Sequence, residues 1–492
     1  MSRVLPISLI MNKKSTFVTY YNTGSGVNPL NRSNRAALIR RTGWRPTNNG
    51  QSSKKCKNFC SYNFSLNSAS NFKKPSKAPA RDNFTINDFL GNWSGFSPHF
   101  NSNGTGITIK QVNLDSSGNC SNIYYINGTI TWTAEKSVGN NPMGTAVKTD
   151  SEQILGLYMS YNNLKLVETQ ENGTCKAYLK KINNENILCI EHTQPGVKPV
   201  VSYMELTKGL TPKKTLINNT YHTDYSINDF TGNWYGISPH NNSNSQDTTV
   251  KDVHLDSSGN FGNIFYIKGT ISWIAKNNVG NNSFGESVKT DSEEVIGLYT
   301  GTNNLILVEQ SENGSYKGYI KKIKNQNTLC LELTQPGLKP IVSYMELERK
   351  LTPNPLYAAP AEDFSIDDLI GEWTGNSPHN NLKSQGTTLK HVNLSSNPKS
   401  FGNTYYINGT IAWTAINNVG NNSSGQIVKS DSEEVLGLFI NSNKLILVEK
   451  HENGTYTGYL KKIKNKIKLC LELTQPGENP VVSYLELTKV HC

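Results

Sequence analysis

Two short polar motifs, each present three times, contain the residue types of a hydrolytic triad. The first is Ser-Pro-His, which ends at His99, His240 and His379. The second, Lys-Thr/Ser-Asp-Ser-Glu, follows each of these and supplies Asp291 and Ser292 in the middle copy. A serine hydroxyl, a histidine base and a carboxylate that orients the base can together carry out acyl transfer. One interpretation of the pattern is therefore an esterase-like site in each copy.

A catalytic site of this kind needs features that do not accompany the two motifs. The sequence shows neither a nucleophile elbow nor an oxyanion-hole motif next to them. Ser-Pro-His and Asp-Ser are also ordinary residues of strand ends and turns. We therefore expect Ser-Pro-His to end a strand, Asp-Ser to cap a turn, and the protein not to be an enzyme. The three histidines are kept as candidates for binding.

The distribution of histidine and cysteine argues against a metal site. His254 and His391 fall in the second strand of their copies, without a tight cluster of further metal-ligating residues. Cys56 and Cys60 are four apart but have no second cysteine pair nearby. We expect no metal and no other cofactor.

The compartment is indicated by the remaining cysteines and by hydropathy. Cys189, Cys330 and Cys470 occupy the same position in the three copies, so they cannot pair within a copy, which is typical of a reducing compartment. No apolar run approaches the ~20 residues that cross a bilayer. The apolar segment 4–11 lacks a small-residue cleavage site, so a secretory signal is not expected. The sequence therefore favours a cytoplasmic location.

The triplicated motifs belong to a long internal repeat that opens on Gly-x-Trp. Trp93, Trp234 and Trp373 recur about 140 residues apart, far above the 20–50 residues of solenoid repeats, so each copy should form its own domain. The predicted organisation is a basic tail (1–81), three repeats (82–208, 223–350 and 362–489) and two linkers (209–222 and 351–361).

Each repeat has the pattern of eight antiparallel strands. In the middle copy, the strand 264–275 alternates, with Phe265, Ile267, Ile271 and Trp273 on one face. Short turns rich in Gly and Asn connect the strands and favour a closed up-and-down barrel over a Greek-key sandwich. The predicted fold class is all-β: three tandem eight-stranded antiparallel barrels after an extended or disordered basic tail. A lumen filled by the apolar face would leave no space for a ligand, whereas a carrier needs roughly 300 Å³ or more.

Tyrosines mark the opposite face of the same strand. Tyr124, Tyr266 and Tyr406 are assigned to equivalent positions there. If they are exposed, they form a contact surface.

The opening of each repeat resembles that of lipocalins. The resemblance is carried by residues 224–234, which end in Gly232-Asn233-Trp234, and by Asn83-Phe84 ahead of Trp93. In lipocalins a basic residue of the last strand packs across this indole. The resemblance implies lipocalin-like barrels and, as an alternative function, a carrier of small hydrophobic ligands. The implied anchors of the barrels are Trp93, Trp234 and Trp373 with Lys208, Arg349 and Lys489.

The excess positive charge lies at the start of the chain. Residues 1–80 contain fourteen Lys or Arg and no Asp or Glu, although the whole chain has a net charge of +11. Such a segment binds phosphate backbones or acidic protein surfaces with salt-sensitive affinity. The basic side chains Arg32, Arg35, Arg40 and Arg41 lie in segment 23–41, which is similar to basic leaders on structural proteins of giant DNA viruses.

These patterns favour a non-enzymatic structural or binding protein. The finer expectation is a minor virion component, assembled in the host cytoplasm, whose tail docks on capsid proteins or nucleic acid and whose barrels act as interaction modules. The small-ligand carrier is the alternative.

Overall fold

The computed structural model describes most of the chain after the basic tail. The described residues are 84–135, 139–140, 146–159, 162–212, 225–276, 280–281, 287–323, 325–349, 364–417, 419–421, 426–440 and 443–490. The predicted tail with its four arginines, Cys56 and Cys60, the second linker and most of the first linker lie outside these residues.

Each repeat forms one short helix and eight long strands, with a small two-stranded hairpin inserted after the third long strand. The first repeat comprises α1 (Ile86–Phe89), β1 (Gly91–Asn101), β2 (Gly104–Cys120), β3 (Ile123–Ala134), the hairpin β4 (Gly139–Asn140) and β5 (Ala146–Val147), β6 (Thr149–Tyr158), β7 (Leu164–Glu168), β8 (Thr174–Ile182), β9 (Glu185–Gln194) and β10 (Val200–Lys208). The second comprises α2 (Ile227–Phe230), β11 (Gly232–Asn242), β12 (Gln246–Phe261), β13 (Ile264–Ala275), the hairpin β14 (Gly280–Asn281) and β15 (Ser287–Val288), β16 (Thr290–Tyr299), β17 (Leu305–Glu309), β18 (Ser315–Ile323), β19 (Gln326–Gln335) and β20 (Ile341–Leu347). The third comprises α3 (Ile366–Leu369), β21 (Gly371–Asn381), β22 (Gln385–Phe401), β23 (Thr404–Ala415), the hairpin β24 (Gly420–Asn421) and β25 (Ile427–Val428), β26 (Ser430–Ile440), β27 (Lys444–Glu449), β28 (Thr455–Ile463), β29 (Lys466–Gln475) and β30 (Val481–Lys489).

The eight long strands of each repeat close into an antiparallel barrel, which confirms the predicted fold class. Consecutive strands pair with one another, and the first strand also pairs with the last: Trp93 lies opposite Val112 on one side and Lys208 on the other. Closure leaves no unpaired sheet edge. Residues 256–260 have the composition of a turn, but they continue β12 with a register shift between Ser257 and Asn260.

A capped turn of helix leads the chain into each barrel. In the second repeat, the backbone N–H of Ser226 donates to Oδ2 of Asp229 (2.8 Å), and this capping box begins α2. Gly232 follows with φ of +102°, a left-handed conformation that glycine adopts without a steric penalty. The reversal places Trp234 inside the end of the barrel, where it is fully buried.

The three barrels pack against one another in a closed ring within one compact unit. Strand β10 of the first barrel contacts β16 and β17 of the second, β20 of the second contacts β26 and β27 of the third, and β30 of the third contacts β6 and β7 of the first. Each interface is apolar; the one between the first two barrels buries Tyr203 against Leu298 and Ile306. Every barrel uses the same two surfaces, one for each of its neighbours. The contacts are therefore heterologous, and the ring closes after three barrels.

Equivalent tyrosines fasten the three interfaces. The hydroxyl of Tyr125 donates to the carbonyl of Gly386 (2.6 Å), that of Tyr266 to Gly106 (2.9 Å), and that of Tyr406 to Asp247 (2.8 Å). The predicted tyrosine surface is thus buried between barrels.

The assignment of Tyr124 to this surface was wrong. Tyr125 is the residue opposite Leu157, as Tyr266 is opposite Leu298. Tyr124 has its ring 6.2 Å from that of Tyr158 and packs on the core of the first barrel.

Buried asparagines add polar contacts at two of the interfaces. Asn241 Nδ2 donates to the carbonyls of Ile407 (3.0 Å) and Gly437 (2.8 Å) in the third barrel. Asn380 makes the equivalent pair of bonds to the first barrel. The first barrel has Phe100 at this position, with its ring centroid 6.2 Å from that of Tyr266 in an edge-to-face arrangement.

Replacing Asn241 with Ala should lower the free energy of unfolding by about 1–3 kcal/mol, because it leaves buried carbonyls without these donors. Urea denaturation followed by tryptophan fluorescence measures the change. Ser243→Ala, an exposed change in the adjacent turn, is the control and should have little effect. Equal stabilities of the two variants would contradict the role assigned to Asn241.

Candidate functional site

Each barrel encloses a cluster of ionisable side chains, which we call the interior chamber. In the second barrel, the alternation of β12 directs Lys251 inward in phase with Val253 and Leu255. Glu293 of β16 and Glu309 at the end of β17 face the same space. Lys251 is 2% exposed and Glu309 is 1% exposed, so both lie in the interior.

The chamber is repeated in the other two barrels. Its members there occupy the same strand positions: His99, Lys110, Glu152, Glu168 and Glu171 in the first barrel, and His379, Lys390, Glu433, Glu449 and Glu452 in the third.

Hydrogen bonds hold the chamber carboxylates in place. The Tyr316 hydroxyl donates to Oε1 of Glu309 (2.6 Å), and Gln335 Nε2 donates to Oε2 of Glu312 (2.8 Å). In the first barrel Cys175 replaces this tyrosine. There the Nε2 atom of His192 lies 3.2 Å from Oε1 of Glu168. The first chamber is therefore chemically distinct from the other two.

Burial shifts the protonation of the chamber groups towards their neutral forms. Desolvation raises the pKa of Glu309 to about 8 and that of Glu293 to about 7. Desolvation lowers the pKa of Lys251 to about 8, opposed by the negative charges of Glu309 and Glu293. His240, buried beside Lys251, has its pKa lowered to about 3. A histidine this weakly basic is uncharged at neutral pH and is poorly matched to general-base catalysis there.

The structure does not bring His240, Asp291 and Ser292 together as a triad. His240 points into the barrel, where its ring stacks 6.2 Å from that of Trp273. Ser292 is exposed, and its hydroxyl accepts a hydrogen bond from Ser272 (2.9 Å). The backbone N–H of Ser292 donates to Oδ1 of Asp291 (2.8 Å), so this carboxylate contacts its own neighbour along the strand.

The prediction that these motifs form a strand end and a turn was wrong, because both lie within strands. His240 pairs with Asp247 and Ser343 inside β11, and Ser292 pairs with Ser272 inside β16. The Ser238 hydroxyl of the first motif is fully buried, 3.1 Å from the hydroxyl of Thr249. His99 and His379 line the other two chambers.

The two chambers whose cavities were measured contain little free space. The cavity in the first is about 50 Å³ and that in the third is about 20 Å³. A pocket for an organic ligand has roughly 300 Å³ or more. Ile267, Ile271 and Trp273 fill the lumen of the second barrel. These volumes give no support to the small-ligand carrier.

Within the described ranges, no group of three His, Cys, Asp or Glu side chains is arranged to hold a metal ion. His254 is exposed and contacts Asn233 (2.6 Å) and Asp256 (2.9 Å) through its two ring nitrogens. The same part of the chain contains no helix of the length and hydropathy needed to cross a membrane.

A tryptophan closes the other end of each barrel. The Trp234 indole N–H donates to the carbonyl of Phe230 (2.8 Å), the last residue of α2, and the Arg349 guanidinium lies 4.5 Å from the ring centroid. Arg349 also donates to the carbonyl of Asn228 (2.8 Å) and so holds the helix against the barrel. Lys208 lies 5.4 Å from the Trp93 ring, and Lys489 lies 5.6 Å from the Trp373 ring.

Sequence reasoning missed Lys251 and Glu309, although a signal was present. Lys251 stands in the apolar phase of an alternating strand, and Glu309 ends the inward series Leu305, Leu307. A charged residue in the inward phase of all three copies indicates a polar interior.

The fold defines the class of protein: an all-β chain of three tandem closed barrels. No model of a known protein family matches the sequence, and no curated protein matches it either. Among solved structures, similarity was found to a protein of unknown function from the DUF3598 family of Nostoc punctiforme. That comparison has 12% sequence identity and a TM-score of 0.22, and it covers 53% of this chain and 97% of the other.

Proposed function

We propose that the protein is a non-enzymatic structural or binding protein, in which the ring of three barrels is a rigid body and the basic leader (residues 1–80) is the docking segment. This proposal rests on the way in which the three copies pack together. Their apolar outer faces cover one another, as Leu298 and Ile306 show, and the chambers measured have only about 50 and 20 Å³ of space. Triplication thus supplies a single stable body.

The charge distribution supports docking through the leader. All 38 acidic residues follow the leader, whereas the leader itself contains fourteen basic residues. A segment of this charge is attracted to phosphate backbones and acidic protein surfaces, and binding releases counterions. The finer proposal is that the barrels are lipocalin-like and that the protein is a minor virion component. Capsid proteins or packaged nucleic acid would be its partners.

Deleting residues 1–80 should abolish association with particles purified from the source, and should reduce affinity for a DNA duplex by at least tenfold at low salt. The reason is the loss of all fourteen leader cations. Sedimentation with particles and fluorescence anisotropy measure the two effects.

A matched variant separates charge from chain length. Changing Arg32, Arg35, Arg40 and Arg41 to Gln keeps the leader but removes four charges, so the salt dependence of DNA binding should become shallower. Undiminished particle association after deletion would exclude the docking role. Absence of the protein from purified particles by mass spectrometry would exclude the virion assignment alone.

A further inference from the structure

A second cavity, which we call the axial vestibule, lies where the three barrels meet. Its volume is about 1080 Å³, and residues of all three barrels line it. The strands that face it are β8, β18 and β28, one from each copy, with their flanking strands. It is far larger than the interior chambers and exists only because the ring is closed.

Three asparagines form the floor of the vestibule. Asn172 Nδ2 donates to Asn313 Oδ1, and Asn313 Nδ2 donates to Asn453 Oδ1 (3.1 Å). Backbone bonds brace this floor; for example, the N–H of Gly196 in the first barrel donates to the carbonyl of Glu309 in the second (3.2 Å). The vestibule is therefore a cup closed at one end.

Hydroxyl groups surround the vestibule above the floor. Each barrel contributes one cross-strand pair: Thr174 with Thr193, Ser315 with Thr334, and Thr455 with Thr474. In the first pair the two hydroxyl oxygens are 3.0 Å apart. Hydroxyls can donate to an anion from several directions at once.

Two lysines form the next level of the wall. Lys176 and Lys317 occupy equivalent positions on β8 and β18, two residues beyond the hydroxyl level, and both line the cavity. The third copy has Thr457 at this position. Burial lowers the pKa of Lys176, and the positive charge of Lys317 on the same cavity wall lowers it further.

The carboxylates that could neutralise these lysines are engaged by the neighbouring barrel. Glu191 lies opposite Lys176 in the ladder, but its Oε1 accepts a hydrogen bond from Asn304 (3.1 Å) of the second barrel. Glu332 lies opposite Lys317 and forms an ion pair with Lys444 of the third barrel. Each of these two carboxylates is thus shared between the lysine opposite it and a side chain of the neighbouring barrel.

We propose that the axial vestibule binds a small phosphate-bearing anion, with the phosphate held between Lys176 and Lys317 and its oxygens accepting from the hydroxyls above the floor. A phosphate has enough acceptor oxygens for donors from more than one barrel, and lysine is a frequent phosphate ligand. Glu191, Glu332 and Glu472 also lie on the wall. Their negative charges repel any further acidic group of the ligand that does not contact both lysines. The volume accommodates an organic phosphate as well as the inorganic ion.

Isothermal titration of the full chain with pyrophosphate and inorganic phosphate tests the proposal. We expect saturable binding at one site, and a loss of at least tenfold in affinity for Lys176→Gln with Lys317→Gln, because two charge-assisted bonds to the phosphate are removed. The leader is identical in all variants, so a difference between them reports the vestibule. Lys322→Gln is the matched control: it removes an exposed charge five residues along β18 and should leave the vestibule affinity unchanged.

A gain-of-binding variant keeps the test informative if the double variant folds poorly. Thr457→Lys places a third ammonium group at the equivalent position and should increase pyrophosphate affinity by about tenfold. Citrate, an anion of similar charge without phosphate, should bind more weakly. The proposal is overturned by equal affinities of the parent, the double variant and Thr457→Lys, by absence of a saturable site, or by equally tight binding of citrate.

Discussion

Replacing Trp234 with Ala is expected to lower the free energy of unfolding by about 3–5 kcal/mol, the range found for large aromatic side chains removed from a core. The indole is fully buried, and its removal leaves a cavity at the end of the barrel. It also removes the hydrogen bond to Phe230 (2.8 Å) and the face on which Arg349 rests. The helix that closes the barrel would lose its main attachment.

Urea denaturation of the parent and the variant, followed by far-ultraviolet circular dichroism, measures this change. Trp93→Ala and Trp373→Ala should behave similarly, because both indoles are fully buried and donate to the equivalent helix carbonyl. Arg349→Gln should cost only about 0.5–1 kcal/mol, since it removes the cation but keeps the indole. A loss below 1 kcal/mol for Trp234→Ala would show that the indole is not the anchor of its barrel.

The ring explains why the outer faces of several strands are apolar. A barrel whose outer face meets water should show apolar residues only in the inward phase. Leu305, Ile306, Leu307 and Val308 are instead buried without a break. Even-numbered residues of this run contact the first barrel, whereas odd-numbered residues fill the lumen. An isolated copy would expose the first set to solvent, so the ring contacts stabilise all three copies.

The barrels could be predicted from sequence because alternation and turn composition are local signals. The predicted bounds 264–275 agree with those of β13. The ring could not be predicted in the same way. The unbroken run from Leu305 shows that both faces of the strand are covered, but such a run is equally compatible with an oligomer, a further domain or a neighbouring copy.

The candidate site was likewise predictable from the sequence only in part. The triplicated histidines were recognisable as a set, but their protonation depends on burial beside Lys251 and its equivalents, which alternation alone does not quantify. The axial vestibule was not predictable, because Lys176 and Lys317 line one cavity only after three closed barrels have docked. The alternating strands were recovered from local pattern, whereas the features that depend on contacts between copies were not.

Stability should fall as pH rises from about 6.5 to 8, because the chamber carboxyls stay protonated in the folded protein after they ionise in the unfolded chain. Their folded pKa values are raised from 4.5 to about 8 for Glu309 and Glu449 and to about 7 for Glu293 and Glu433. The folded state therefore binds more protons in this window, and the free energy of unfolding decreases with pH.

The other chamber groups change the stability of the protein in other pH ranges. His240 has its pKa lowered from 6.5 to about 3, so the unfolded chain binds more protons between those values and stability rises with pH there. Lys251, lowered from 10.5 to about 8, makes stability rise again above pH 8. The carboxyls alone determine the sign between about 6.5 and 8.

Glu309→Gln removes one of these titrating carboxyls and so measures its contribution to the pH dependence. Glutamine retains an oxygen that accepts from Tyr316 but does not ionise, so the slope of unfolding free energy against pH should become less negative by about 1.4 kcal/mol per pH unit. Urea denaturation at pH 6.5, 7.0, 7.5 and 8.0 gives the slope for each protein. Glu294→Gln, an exposed change on β16, should keep the parental slope. If Glu309→Gln also keeps it, the buried carboxyl is ionised throughout this range and Lys251 neutralises it as an ion pair, which would make the chamber charged rather than neutral.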